Sequence, residues 1–445
     1  MDAQPDPTRE TDEPPPAAQR IERRYAPHPA RAAVINEVHT RPFVPLPTPL
    51  SIFHFAFMND AGGASADQER LVALLADRGL PPLPSGARHH RFSLPGIAVR
   101  WESHTEFTTY GFQVEDPGGA PFEHPVPNAV LEILSDPPGG LLVATRVTVR
   151  APDASDPRLD GFDLASRCLS EVQGDDAVIA TDLKPDAAGF TRFLVENHAM
   201  EPMQTGAVVQ RLLEIETYRT LALLGLPEAL KAGPTVRQIE EDLAAVTEEM
   251  RAVTGLTGNR ALLGRLTELA GETEAIVAAT SYRFSATRAY ENIVTTRLTT
   301  LDEQALDGHL TLSAFLMRRM SPAMRTCQST ENRLEALSEK LTRAASLLRA
   351  RVDVELESQN RDLLEAMNRR AQLQLRLQRT VEGLSVAAVT YYVVGLISYL
   401  AKGGAELGLT YSPAVIAAAA VPIVALVIGL FVRQIRNRHK DDEEI

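Results

Sequence analysis

LSVAAVTYYVVGLISYLA (384–401), KGGAELGLTYSP (402–413) and AVIAAAAVPIVALVIGLFV (414–432) follow one another in this chain. Neither apolar run contains a charged side chain. At ~1.5 Å of rise per residue, a helix of about 18–19 residues crosses most of a ~30 Å hydrocarbon core. Two such helices joined by a short Gly-rich turn make a hairpin that enters a bilayer and returns. Everything before Leu384 then reads as one large soluble part carried by that hairpin.

The flanking charges give the hairpin a direction. Arg361, Arg369, Arg370, Arg376 and Arg379 precede the first span, and Arg433, Arg436, Arg438 and Lys440 follow the second. The turn holds a single Lys402 and a single Glu406. Basic residues concentrate on the cytoplasmic side of a membrane, which predicts both termini in the cytoplasm and the turn outside. The N-terminal MDAQPDPTRETDEPPPAAQR is Pro-rich and charged without an apolar centre, so it does not read as a signal peptide.

The chain has 445 residues, 44% of them hydrophobic, and a net charge of −13. Residues 1–200 hold 17 basic against 28 acidic side chains, and the remainder is nearly balanced. An acidic N-terminal half argues against nucleic acid as a partner, because phosphates need a basic face. Cys168 and Cys327 stand alone, which fits a reducing compartment and gives no disulfide framework.

Read in order, residues 1–24 form a disordered tail and 25–200 a mixed α/β or α+β cytosolic domain. Ala30 to His39 reads as a short helix, followed by an extended connector forced by Pro42, Pro45, Pro47 and Pro49. Strands are expected at 51–58, 91–94, 97–103, 107–114, 141–150 and 178–181, with another short element at 191–196. Helices are expected at 65–78 and 128–134.

Residues 201–321 read as almost pure helix. One run ends at Gly225 and Pro227, another starts at Thr235 with Gln238 completing a capping box, and a short one stops near Ser321-Pro322. A long stalk helix occupies 322–383, with Leu334, Leu337, Leu341, Ala345, Leu348, Val352, Leu356, Leu363, Met367 and Ala371 in three- and four-residue steps. That eleven-residue rhythm favours a nearly straight bundle, and self-association and ordinary packing both account for it. The hairpin at 384–432 and a charged tail at 433–445 complete the chain.

No Walker loop, dinucleotide-binding glycine pattern, HExxH or nucleophile elbow is present. No catalytic residue and no cofactor is therefore assigned. Asn36, Glu37, His39 and Arg41 form the densest polar cluster of the N-terminal domain. Residues two apart on a helix do not share a face, so capping and connector roles are preferred over metal binding there. His89 and His90 are adjacent, just before the strand expected at 91–94, with His54 and His104 on or beside other expected strands; adjacent strand residues point to opposite faces, so the four read as scattered. Asp153, Asp156, Asp160 and Asp163 carry the oxygen chemistry of a divalent cation site, but without EF-hand spacing they read as a solvated loop. In the first span Ser385, Ala388, Tyr392, Gly395, Ser398 and Lys402 form a narrow stripe suited to close helix packing or to lining a pore.

The stretches VINEVHTRPF, SIFHFAFMND and VEGLSVAAVTYYVVGLISYLAKG resemble the uncharacterised bacterial membrane-anchored proteins of domain of unknown function 3422. The resemblance covers about His28 to Arg438 and implies an inner-membrane location, with no activity attached. In architecture the chain is also similar to the CorA magnesium channels, which implies a homopentamer with the first span lining a pore. Their Gly-Met-Asn signature is absent, because Tyr399, Leu400, Ala401, Lys402, Gly403 and Gly404 stand there, and a pore-facing lysine would repel cations. The sequence therefore predicts a non-enzymatic membrane-anchored protein that self-associates or binds a partner through its stalk. The alternative is a CorA-like channel of altered selectivity.

Overall fold

A computed structural model describes residues 25–26, 28–31, 34–35, 43–59, 62–84, 86–116, 118–152, 161–306, 308–406 and 412–441. The chain divides into two compact units, one of Met1–Leu243 with Leu269–Leu341 and one of Ala244–Glu268 with Thr342–Ile445. An N-terminal mixed sheet, a mostly helical region with one very long helix, and a terminal apolar helix give the α+β class expected from the sequence.

In the first unit the strands are β1 (Leu50–Met58), β2 (His89–Leu94), β3 (Ile97–Ser103), β4 (Phe107–Glu115), β5 (Leu141–Arg150), β6 (Cys168–Val172), β7 (Ala177–Thr181), β8 (Thr191–Asn197) and β9 (Glu303–Ala305). They form one sheet in the order β2-β3-β4-β1-β5-β8-β7-β6-β9. Among the described residues, β5–β8 is the one parallel pairing between these strands. Sequence patterning does not predict β6 or β9. The buried Ser170 interrupts the apolar alternation of β6, and its hydroxyl donates to Glu303 at the start of β9 (2.8 Å). β9 is three residues without strand propensity and exists through its pairing with β6.

Side chains alternate across the sheet. Phe53, Phe55, Trp101 and Phe112 face helices α1 (Gly63–Asp77) and α2 (Asn128–Ile133), where Leu71, Leu75, Val130 and Ile133 close an aromatic-rich core. Asp67 lies inside that layer and accepts hydrogen bonds from Trp101 Nε1 (2.8 Å), the Tyr110 hydroxyl (2.7 Å) and Arg70 Nη2 (2.7 Å). Three donors offset the desolvation that would otherwise expel a buried carboxylate.

Helix α3 (Pro202–Leu223) covers the opposite face. Proline at its first position loses no needed N–H, and Glu201 with Gln204 forms a capping box. Val208, Val209, Leu212 and Ile215 pack on Val147, Val149, Phe193 and Val195, each fully buried aliphatic group contributing about 1.5–3 kcal/mol. The same core takes in Leu298 and Leu301 of α5 (Leu256–Leu301) and Leu312, Phe315 and Met320 from the start of α6 (Leu312–Glu406). The mixed region and the helices after it thus share one interior.

Two expected helix breaks are absent. Helix α4 (Gly225–Ala252) runs through Pro234, so Thr235 is not a helix start, and α6 runs through Pro322. Each proline takes an N–H from the ladder and leaves the carbonyl four residues back without its donor. Pro234 and Pro322 are exposed, as are Leu230 and Arg318, so water can satisfy those carbonyls at the helix surface.

In the second unit Val246, Met250, Leu262, Leu266, Leu348 and Val352 are buried, and Arg351 Nη1 donates to the Met250 carbonyl (2.6 Å). The stalk stripe is covered as far as Val352. Beyond it Leu363, Leu364, Met367, Leu373 and Leu377 are each more than half exposed. Helices α6 and α7 (Pro413–Asp441) each contain a window long and apolar enough to cross a membrane, with mean hydropathy 1.8 and 2.9.

Candidate functional site

The first unit contains a cleft between α3 and the sheet, and register explains it. On the face turned toward α3, β1 presents Ile52 and His54, β3 presents Arg100 and Glu102, and β4 presents Thr109, Gly111 and Gln113. Gly111 pairs with His54 on one side and with Arg100 on the other. A row that would hold three side chains therefore holds two, with a gap above the glycine. Helix α3 roofs the gap with Val209, Gln210, Leu213, Glu214 and Thr217, leaving a cavity of about 90 Å³.

The charged groups at this cleft are paired within the protein. Arg100 donates from Nε (2.8 Å) and Nη2 (2.5 Å) to Glu102 Oε1, and from Nη1 to Gln210 Oε1 (3.1 Å). Gln210 passes the chain on to Glu214 Oε1 (2.8 Å), and Arg297 Nε donates to Glu214 Oε2. His104 stacks on Phe107 with ring centroids 4.1 Å apart, its Nε2 standing 3.9 Å from Glu102 Oε2.

His54 differs from these. Its Nε2 lies 3.1 Å from the Thr217 hydroxyl, and its Nδ1 faces the space above Gly111. Burial pulls its pKa down to about 4, with Glu102 opposing the shift and Arg100 and His104 adding to it. At neutral pH the ring is uncharged. Nδ1 offers the cavity a lone pair when Nε2–H donates to Thr217, and an N–H when the Thr217 hydroxyl donates to Nε2.

Sequence reading treats His54 and His104 as scattered, whereas the fold brings both to one cleft and leaves His89 and His90 on β2 at the sheet edge. The usable signal was a histidine inside the apolar SIFHFAFM and the alternating Arg100 and Glu102 of IAVRWES. Asn36, Glu37, His39 and Arg41 lie outside the described residues, as do Asp153, Asp156 and Asp160. Asp163 is paired with Lys184, which holds its carboxyl below the usual carboxylate range. Among the described residues no three His, Cys, Asp or Glu side chains converge as a metal site.

Ser385, Ala388, Tyr392, Gly395, Ser398 and Lys402 all fall on α6. Gly395 and Ser398 are half-buried, while Ser385, Ala388, Tyr392 and Lys402 are exposed. Ser385 returns its hydroxyl to the Val381 carbonyl (2.8 Å). A second hollow, wide and mostly apolar, lies between Leu377, Val381 and Ser385 of α6 and Val432 of α7.

A family model described as "Protein of unknown function (DUF3422)" matches residues 26–439, and the chain belongs to that family. No curated protein and no solved structure matches the chain.

Proposed function

We propose that this is an integral protein of the bacterial inner membrane, held by a C-terminal two-helix hairpin with both termini in the cytoplasm. Its long helix serves to assemble copies of the chain. One observation carries the reading: only 6% of either apolar window is buried by the rest of the chain. A core helix of a soluble protein buries such a window, so these two helices need another apolar surrounding, and a bilayer supplies it without leaving a backbone polar group unpaired. The basic residues on both sides of the hairpin favour cytoplasmic ends.

Self-association rests on the large apolar side chains of α6 that stay uncovered between Val352 and the hairpin, some in the stripe and some beside it. Leu363, Met367, Leu373 and Leu377 gain about 1.5–3 kcal/mol each when buried, enough to offset much of the cost of association once copies share a membrane. Lys402 at the outer end of the first span gives a cation channel no support.

Alkaline carbonate extraction of bacterial membranes, followed by mass measurement in detergent, tests both parts. The protein is expected to stay in the membrane pellet and to run as an oligomer, and Leu363→Glu with Met367→Glu is expected to reduce it to a monomer. Release into the supernatant would remove the anchor reading. A monomeric wild type would remove the assembly reading.

A further inference from the structure

The cleft beneath α3 has features that internal packing does not require. Its ionic groups are already matched, Arg100 to Glu102 and Arg297 to Glu214. Its uncharged groups on α3, Gln210 and Thr217, are matched as well, but those on β4 are not. The Thr109 hydroxyl and the Gln113 amide flank Gly111 on β4, and neither has a hydrogen-bond partner among the described residues, although Thr109 is only 5% exposed. His54 uses Nε2 and leaves Nδ1 open toward the same space. The hydroxyl of Thr145, opposite His54 on β5, is fully buried and also unpartnered. Leaving a buried polar group without a partner is costly, and such groups collect where a ligand or water completes them.

Gly111 keeps the space open. A Cβ built there meets Arg100 Cβ, the Arg100 carbonyl oxygen and His54 Nδ1, each at 3.9 Å. Those are ordinary contacts, so packing does not demand a glycine. A glycine also weakens a strand interior, and one is kept where something else approaches the backbone. At one end the walls turn apolar, with Val44, Leu46, Ile52 and Leu213.

We infer that this cleft binds a small uncharged molecule, with an amide-like or hydroxyl head over Gly111 and a short aliphatic tail toward Leu46 and Ile52. The head finds a donor and acceptor in Thr109, both kinds of group in Gln113, and in His54 Nδ1 an acceptor or a donor according to the tautomer. A charged head would enter a site whose ions already have partners, and would bring a desolvated charge without a match. The volume of about 90 Å³ suits roughly five heavy atoms, being smaller than the ~150 Å³ cavity that accommodates benzene. None of this depends on the membrane or on assembly.

The test uses the full chain in detergent and propionamide as the probe, with propionate and n-propylammonium as charged counterparts, read by saturation-transfer NMR. Saturable binding of propionamide is expected with a Kd on the order of millimolar, as suits so few atoms. Gly111→Ala, which fills the gap without a clash, is expected to abolish it. Thr109→Val is expected to weaken it by about 3–10-fold, one hydrogen bond's worth. Both variants should keep the buried Trp101 fluorescence of the folded protein. Absence of saturable propionamide binding, full binding by Gly111→Ala, or equal binding of propionate would each overturn the assignment.

Discussion

Replacing Gly206 by alanine sets two effects of opposite sign against each other. Gly206 is buried in the first turns of α3, and helix propensity alone favours alanine by about 1 kcal/mol. A Cβ at this position would overlap the Val44 carbonyl oxygen and stand 3.0 Å from its carbon. That carbonyl is backbone and cannot rotate away, so the segment leading to β1 has to lift. Two residues further on, Leu46 is 4% exposed and its N–H donates to the Pro202 carbonyl (2.8 Å). Losing that bond costs about 1 kcal/mol, and partial exposure of Leu46 costs about 1–2 kcal/mol more. Overpacking strain of about 1–3 kcal/mol adds to this.

The sum outweighs the propensity gain, leaving Gly206→Ala destabilising by about 2–5 kcal/mol. Gly271, exposed on α5 with nothing within 4 Å of its would-be Cβ, is the control, where alanine should stabilise by about 0.5–1 kcal/mol. Trp101 is the chain's single tryptophan and is 1% exposed, so its emission in a urea titration reports the first unit alone. A Gly206→Ala midpoint equal to or above wild type would refute the close approach.

The remaining predictions concern protons and thiols. His54 has a folded pKa of about 4 against an ordinary 6.5, so between those values the unfolded chain takes up a proton that the folded chain refuses. Its contribution is level above pH 6.5, and stability falls by up to ~1.4 kcal/mol per pH unit as pH drops from 6.5 toward 4. His54→Gln should remove that slope from the urea midpoints at pH 7 and pH 5, and an unchanged difference would show that His54 does not titrate so low. Cys168 is buried and pushed up to about 12 by that burial, with Glu303 adding to the shift, and burial raises Cys327 as well. A maleimide at pH 7.5 should therefore label neither thiol until urea unfolds the chain. Rapid labelling of the native protein would contradict the packing around both.

Much of the architecture was legible because it repeats at short range. Short strand-like runs between turn residues located β1, β3, β4 and β5, and the two charge-free runs marked the apolar parts of α6 and α7. Pro234 and Pro322 misled because a proline on an exposed helix face loses a bond that water replaces. The cleft was illegible for a different reason. It depends on His54, Gly111 and Arg100 meeting across three strands, and register between strands distant in sequence is not written in any one of them. Each looked ordinary alone, a histidine in an apolar strand, a glycine after a tyrosine and an arginine before a tryptophan.

The interior shared by the sheet and the later helices also bears on the order in which the chain is made. Val147, Phe193 and Met200 are packed by Leu312, Phe315 and Met324, and the sheet's last edge is β9 at residues 303–305. A ribosome adding about 5–20 residues per second needs roughly 6–25 s to pass from Met200 to Met324. During that interval the newly made strands have an open edge and, outside the area that α3 covers, an unfilled apolar face, the state in which nascent β-sheets aggregate. Whatever shields that edge and face during the interval, or shortens it, therefore favours the native protein as directly as a contact within the finished fold.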